Sequence, residues 1–191
     1  MKFNKPTILF LILGSFFITN ALVAEFIGVK IFSFENTLGF SKFDFNILGF
    51  EHLSFELTCG VLLWPVVFIM TDIINEYYGK KGVKLLSYIA AGMISFAFIA
   101  VFIAIYTSPA GWWLGSGSGK QVGNMQHAYS AIFGQGLWII IGSLVAFLLG
   151  QIIDVTIFHW LKKKSGEGNL WLRSTGSTLV SQLIDSFVVL F

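Results

Sequence analysis

Three stretches of this chain carry residue types and spacings suited to a polar binding site. Asp72, Asn75 and Glu76 are spaced i, i+3, i+4, so on a helix they share one face. Gln151 and Asp154 stand three apart. Ser177, Ser181 and Asp185 form one row at i, i+4 spacing, and Ser174, Thr178 and Gln182 form another. Carboxylates accept paired N–H donors, and amides offer both a donor and an acceptor. This chemistry suits a flat heterocycle with a guanine-like edge, with a Tyr, Trp or Phe ring stacked on its face. A proton or cation path is a second reading, because chains of acids also serve as relays. The purely structural reading is an interhelical hydrogen-bond network with an Asp72–Arg173 or Glu76–Arg173 pair.

The elements that position these groups are apolar helices. The 191 residues are 55% hydrophobic and 12% charged, with 21 Phe. Soluble domains run near 25% charged, so this charge content is half the usual one. Several runs approach or exceed the roughly 20 apolar residues that cross a bilayer. The composition predicts an all-α integral membrane protein of one domain over residues 1–191. Spans are expected at 7–27, 57–78, 83–107, 132–161 and 174–191, giving five complete or partial helices. The first run has Leu22 where signal cleavage before Glu25 would want a small residue, so it reads as an uncleaved span. Gly79-Lys80-Lys81-Gly82 ends the second span, which places Asp72 roughly 10 Å inside the water boundary. Asp154 lies roughly 12 Å inside Lys162, and Asp185 roughly 18 Å from Arg173. An ionisable group at such depth costs about 2.5–3.5 kcal/mol on insertion scales and faces a bundle interior or an aqueous cavity.

The remaining stretches give weaker signals. Asn20 stands inside the first span, as a site candidate or an interhelical hydrogen-bonding group. The alternation Phe43-Asp44-Phe45-Asn46-Ile47 suggests a short hairpin in the connection from Ser33 to Glu56. Pro65 reads as a mid-span residue that bends the second helix. Ala90, Ala91, Gly92, Ser95 and Ala97 suit close packing of the third. Gly142, Ala146 and Gly150, each four apart, make a small-residue groove that leads to Asp154. Trp112 and Trp113 read as interfacial anchors in a loop from Ser108 to Gln126. The Gly115–Lys120 stretch fails as a phosphate-binding loop, because its first glycine would fall on Leu114 and Gln121 replaces the required Ser or Thr.

The charges orient the chain and exclude other classes. Lys2, Lys5, Lys80, Lys81, Lys84, Lys162, Lys163, Lys164 and Arg173 fall on one side of the alternating spans; Lys30, Lys42 and Lys120 fall on the other. The richer side is expected to be cytoplasmic, with the N-terminus there. Because the basic residues cluster beside the spans, the net charge of +2 says nothing about nucleic acid, and the lipid bilayer, not nucleic acid, is the expected partner. The lone Cys59 excludes an internal disulfide and a multi-cysteine metal site. No HExxH or GxSxG pattern occurs, so no enzyme, cofactor or metal centre is expected. Nothing basic flanks Phe191, and that ending reads as a truncation.

Phe68-Ile69-Met70-Thr71-Asp72-Ile73-Ile74-Asn75-Glu76-Tyr77-Tyr78-Gly79 resembles the signature of the queuosine precursor transporter family, also called vitamin uptake transporters. Further matches are Asn20, the run Gly150-Gln151-Ile152-Ile153-Asp154, the run from Trp171 to Thr178, and Ser181-Gln182-Leu183-Ile184-Asp185. The resemblance implies a bundle of about six transmembrane helices, the last missing here, related to the substrate-binding subunits of energy-coupling-factor transporters. It implies inner-membrane uptake of 7-deazaguanine precursors of queuosine for tRNA modification. Asn20, Asp72, Asn75, Glu76, Gln151, Asp154, Arg173, Ser177, Gln182 and Asp185 become the substrate-binding candidates. In that assignment one or two acids accept the guanine-like N–H donors. Gln182 or Gln151 bonds the ring carbonyl, and Arg173 holds the remaining acids ionised. A homodimer and an energising ATPase partner stay open.

Overall fold

The computed structural model describes residues 4–41, 45–47, 50–53, 55–115, 122–134, 137–165 and 170–190. The first helix, α1 (Lys5–Ile27), is capped by Asn4, whose side chain accepts from Thr7 N at 3.0 Å. Its buried residues Leu13, Gly14, Phe17, Asn20, Ala21 and Ala24 recur at three- and four-residue steps, one face of a helix. Strand β1 (Ile31–Ser33) and the short helix α2 (Phe34–Leu38) follow. Strands β2 (Phe45–Ile47) and β3 (Phe50–Leu53) pair antiparallel, as the alternation around Asp44 predicts. Asp44 itself lies outside the described residues. Strand β4 (Glu56–Thr58) returns to pair with β1. Glu35, fully buried, ties this cap together. It accepts from Ser33 Oγ at 3.0 Å and from Phe55 N at 2.8 Å.

Helix α3 (Trp64–Tyr106) is 43 residues long. Unbroken, it would reach about 64 Å, twice the hydrocarbon thickness of a bilayer. It breaks at Gly79, where φ is 65° and ψ −175°. The two limbs, 64–78 and 80–106, run in opposite directions. In the first, Tyr78 Oη donates to Pro6 O at the start of α1, while Gly60, just ahead of the limb, sits against Ala24 near the end of α1. In the second, Gly82 meets Phe10, Leu86 meets Gly14, and Phe98 stacks on Phe26 at 5.4 Å. The glycine stop expected after Tyr78 is therefore a turn between antiparallel helices.

Three sequence expectations need correction. The second helix begins at Trp64 rather than at 57, because Leu57 pairs with Phe32 in the sheet and Cys59–Leu62 form a 3-10 turn. Pro65 consequently stands in the first helical turn, where its missing N–H is harmless, and it makes no mid-span kink. Residues from 132 do not open one long span. Met125–Phe133 form a separate helix, α4, capped by Asn124, which accepts from the Gln126 and His127 amides. Gln126 Nε2 anchors α4 by donating to Ile105 O at 2.8 Å.

Helix α5 (Leu137–Ser165) follows, and α6 (Leu170–Leu190) packs along it. Ser143 meets Glu25 at one end of α5 and Lys162 meets Glu76 at the other, so α5 runs parallel to the first limb of α3. Among the described residues, the segments Lys5–Ile27, Trp64–Tyr106 and Ile140–Lys164 are long and apolar enough to cross a membrane. In the second limb the packed row is Val83, Leu86, Ala90, Ile94 and Phe98; Gly92 faces outward. In α5 the small-residue groove is buried only from Ala146 onward, and Gly142 is exposed. The core gathers these rows with Leu13, Phe17 and Ala21 of α1, Val67 and Ile74 of α3, and Phe147 and Val155 of α5.

Candidate functional site

The first limb of α3, α5 and α6 meet along their polar faces. Asp72, Asn75, Gln151, Asp154, Arg173 and Ser177 are all buried there, with Ser181 and Thr71 beside them. Each occupies its helix's inward stripe, because acids and amides at three- and four-residue steps cannot turn to lipid. The packing register then sets which groups meet. Ser174 Oγ donates to Asp72 Oδ2. Arg173, one residue earlier, lies 3.5 Å from Glu76 Oε2 through Nη2, and its guanidinium sits 5.5 Å from the Phe158 ring. Of the two arginine pairs left open by the sequence, the Glu76 pair is the one that forms. Lys162 Nζ donates to Glu76 Oε1 at 3.0 Å, so Glu76 is held from two helices at once.

Deeper along α5 the pattern changes. Thr71 Oγ1 shares its single proton between Val67 O at 3.0 Å and Gln151 Oε1 at 3.1 Å. Asp154 is wholly buried, with Ser177, Thr178 and Ser181 as its hydroxyl-bearing neighbours. Those serines donate elsewhere: Ser177 to Ser174 O at 3.2 Å and Ser181 to Thr178 O at 3.1 Å. With the hydroxyls so turned, both oxygens of Asp154 make no hydrogen bond among the described residues, although Ser177, Thr178 and Ser181 stand near enough to reach them by rotation; both polar atoms of Asn75 and Asp72 Oδ1 make none either. Buried polar groups are satisfied in the great majority of cases, and each exception calls for an explanation. On two facing helices these atoms set carboxylate acceptors beside an amide donor and acceptor, the groups that a hydrogen-bonding ligand would use.

Several candidates fall away from this cluster or outside view. Asn20 is buried, but its amide donates to Phe16 O of its own helix at 2.9 Å. With Tyr78 at Pro6 and Gly60 at Ala24, the register sets Asn20 level with Trp64, about 12 Å along α1 from the level of Asp72. Gln182 is half-buried on α6. The backbone of Asp185 continues α6 one turn beyond Ser181, and its side chain lies outside the described residues. Sequence reasoning missed two participants. Lys162 reads as a flanking charge, yet it stands eight residues from Asp154 on the same helix and reaches Glu76. Ser174 was legible as part of a polar row, but its acceptor, 102 positions away, was not. Among the described residues no group of three or more His, Cys, Asp or Glu is placed to hold a metal ion.

A family model described as "Putative vitamin uptake transporter" matches residues 58–191. The chain is 28% identical over 140 residues to the "Probable queuosine precursor transporter" of Bacillus subtilis (strain 168), covering 72% of this chain and 56% of that protein. It is 27% identical over 139 residues to the "Queuosine precursor transporter" of Escherichia coli (strain K12), covering 73% and 56%. A "Probable queuosine precursor transporter" of Haemophilus influenzae is 23% identical over 135 residues, covering 71% and 51%. The chain thus spans about half the length of these curated relatives. No solved structure matches it.

Proposed function

Since the chain belongs to the vitamin uptake transporter family, we propose that it imports 7-deazaguanine precursors of queuosine across the inner membrane, with its lysine-rich end in the cytoplasm. The observation that carries the reading is the set of buried atoms on Asp72, Asn75 and Asp154 that make no hydrogen bond among the described residues. A 7-deazaguanine edge presents N–H donors beside a ring carbonyl. One carboxylate accepts two such donors side by side, and the Asn75 amide offers a donor to the carbonyl. The second carboxylate exceeds what a neutral ring requires. It suits the ammonium of 7-aminomethyl-7-deazaguanine, which makes this the favoured cargo over the 7-cyano compound. Gln151, Ser177, Gln182 and Asp185 complete the proposed lining; Asn20 lies toward the opposite end. Kinship with the substrate-binding subunits of energy-coupling-factor transporters and a bundle of about six transmembrane spans belong to the same proposal; a homodimer and an ATPase partner stay open.

The test is uptake of labelled 7-cyano-7-deazaguanine and 7-aminomethyl-7-deazaguanine by full-length protein. The host lacks queuosine synthesis and its own carrier. Uptake lost in Asp154→Asn and Asp185→Asn, with normal membrane insertion, supports the reading. Normal uptake by either variant removes that residue from the site. A second reading, a proton or cation path, rests on the same unpaired carboxylates. It predicts ion flux that is indifferent to the heterocycle.

A further inference from the structure

Glu76 differs from its two polar neighbours on α3. Among the described residues Asn75 and Asp72 leave buried atoms with neither a hydrogen bond nor a charged partner, whereas Glu76, whose Oε2 also makes no hydrogen bond, is ion-paired with Lys162 of α5 at 3.0 Å and Arg173 of α6 at 3.5 Å. This triad lies on the lysine-rich side of the unsatisfied cluster: Glu76 is one turn, about 6 Å, beyond Asp72, and Lys162 about 12 Å beyond Asp154. We propose that the Glu76–Lys162–Arg173 triad is a gate that closes the lysine-rich exit of the site, with Lys162 as its opening element. The inference rests on the transport reading above.

The two cations are built for different parts. Arg173 is buried at 1% exposure over the Phe158 ring, and the next residue on its helix, Ser174, bonds Asp72. It is fixed to the site. Lys162 keeps 29% of its side chain exposed and holds Glu76 by one long flexible arm. Ion pairs exposed to this degree open at small cost, which suits a moving part. Two neighbouring lysines are engaged elsewhere: Lys80 Nζ with Thr156 Oγ1 at 3.3 Å, and Lys164 Nζ over the Trp160 ring at 4.1 Å. Because the triad joins three helices at the exit, releasing Lys162 frees α5 from the first limb of α3 there. The adjacency of Arg173 and Ser174 couples the latch to Asp72, so occupancy of the site is felt at the gate.

Thiol accessibility tests the gate without any substrate, so failure of the deazaguanine reading does not obscure the result. Ser177 is fully buried behind the triad, and the native Cys59 stands in the 3-10 turn at the opposite end. Ser177→Cys protein in lipid nanodiscs is treated with a membrane-impermeant maleimide, with Cys59 as internal reference. Adding Lys162→Met or Glu76→Gln is expected to raise the labelling rate of the introduced thiol at least tenfold, with the Cys59 rate unchanged. Lys162→Arg keeps it near the parent rate. The gate is overturned by unchanged labelling in both Lys162→Met and Glu76→Gln, by equal acceleration at Cys59, which signals general loosening, or by Lys162→Arg behaving like Lys162→Met.

Discussion

Ser174 Oγ donates to Asp72 Oδ2, joining α6 to the first limb of α3 across 102 positions of sequence. That bond satisfies one oxygen of Asp72, while the other makes no hydrogen bond among the described residues. Along this limb, among the described residues, Asn75 has no polar partner, Asp72 has one hydroxyl, and Glu76 is ion-paired with two cations though its Oε2 makes no hydrogen bond. The gradient separates groups with spare donors and acceptors from groups that tie the helices together.

Ser174→Ala strips Asp72 of its hydroxyl partner in a buried setting. A buried acceptor left unsatisfied costs about 1–3 kcal/mol. Chemical unfolding in detergent should show a loss of that size. Unchanged stability would mean the bond contributes nothing.

Asp154→Asn should behave in the opposite way. The buried carboxylate has no charged partner among the described residues, and the neighbouring Ser177, Thr178 and Ser181 hydroxyls can serve an amide as well, so neutralising it leaves stability unchanged or raised. Uptake, by contrast, should fall by more than tenfold. A stability loss beside retained uptake would assign Asp154 to the structural network instead.

Asn75→Leu removes an amide, 1% exposed, whose donor and acceptor both lack a partner among the described residues. Replacing an unsatisfied polar group with an apolar one of similar shape is near neutral or stabilising. The expected signature is a fold that survives heating as well as the parent protein does, with binding of the labelled heterocycle lost in an equilibrium assay.

Gly79→Ala tests the turn between the limbs. At φ 65° and ψ −175° the backbone is in a region open essentially to glycine, and nothing lies within 4 Å of an added Cβ. The cost is therefore backbone strain alone, about 1–3 kcal/mol. Thermal unfolding of the variant measures it; a stability gain would show that the turn adopts another conformation.

Gly14→Ala places a Cβ 2.7 Å from Leu86 Cδ2, where α1 meets the second limb. Overpacking of this kind costs about 1–3 kcal/mol. Leu86→Ala in the same chain should recover part of the loss, giving a coupling of about 0.5–3 kcal/mol in a double-mutant cycle. Additive losses would place the strain elsewhere.

The membrane class, the helical faces and the polar stripe were legible in the residues themselves. Low charge and long apolar runs determine the solvent, and a 3.6-residue period assigns Asp72, Asn75 and Glu76 to one face whatever packs against it. The break after Tyr78 was readable from Gly79, since few residues tolerate its backbone angles. The entry to α3 was not, because Leu57 joins a sheet whose other strand begins 26 positions earlier at Ile31. Pro65 misled for the same reason: proline bends a helix interior but begins a helix without cost, and only the helix boundary distinguishes the two. Which acid meets which cation also lay beyond sequence. Arg173 could equally have faced Asp72 or Glu76, and Lys162 looked like a flanking charge. One residue of register along α6 put Ser174 on Asp72 and Arg173 on Glu76. Periodicity determines the face a side chain takes, whereas its partner is set by how far the helices slide along one another, and that sliding is decided by packing across the whole bundle.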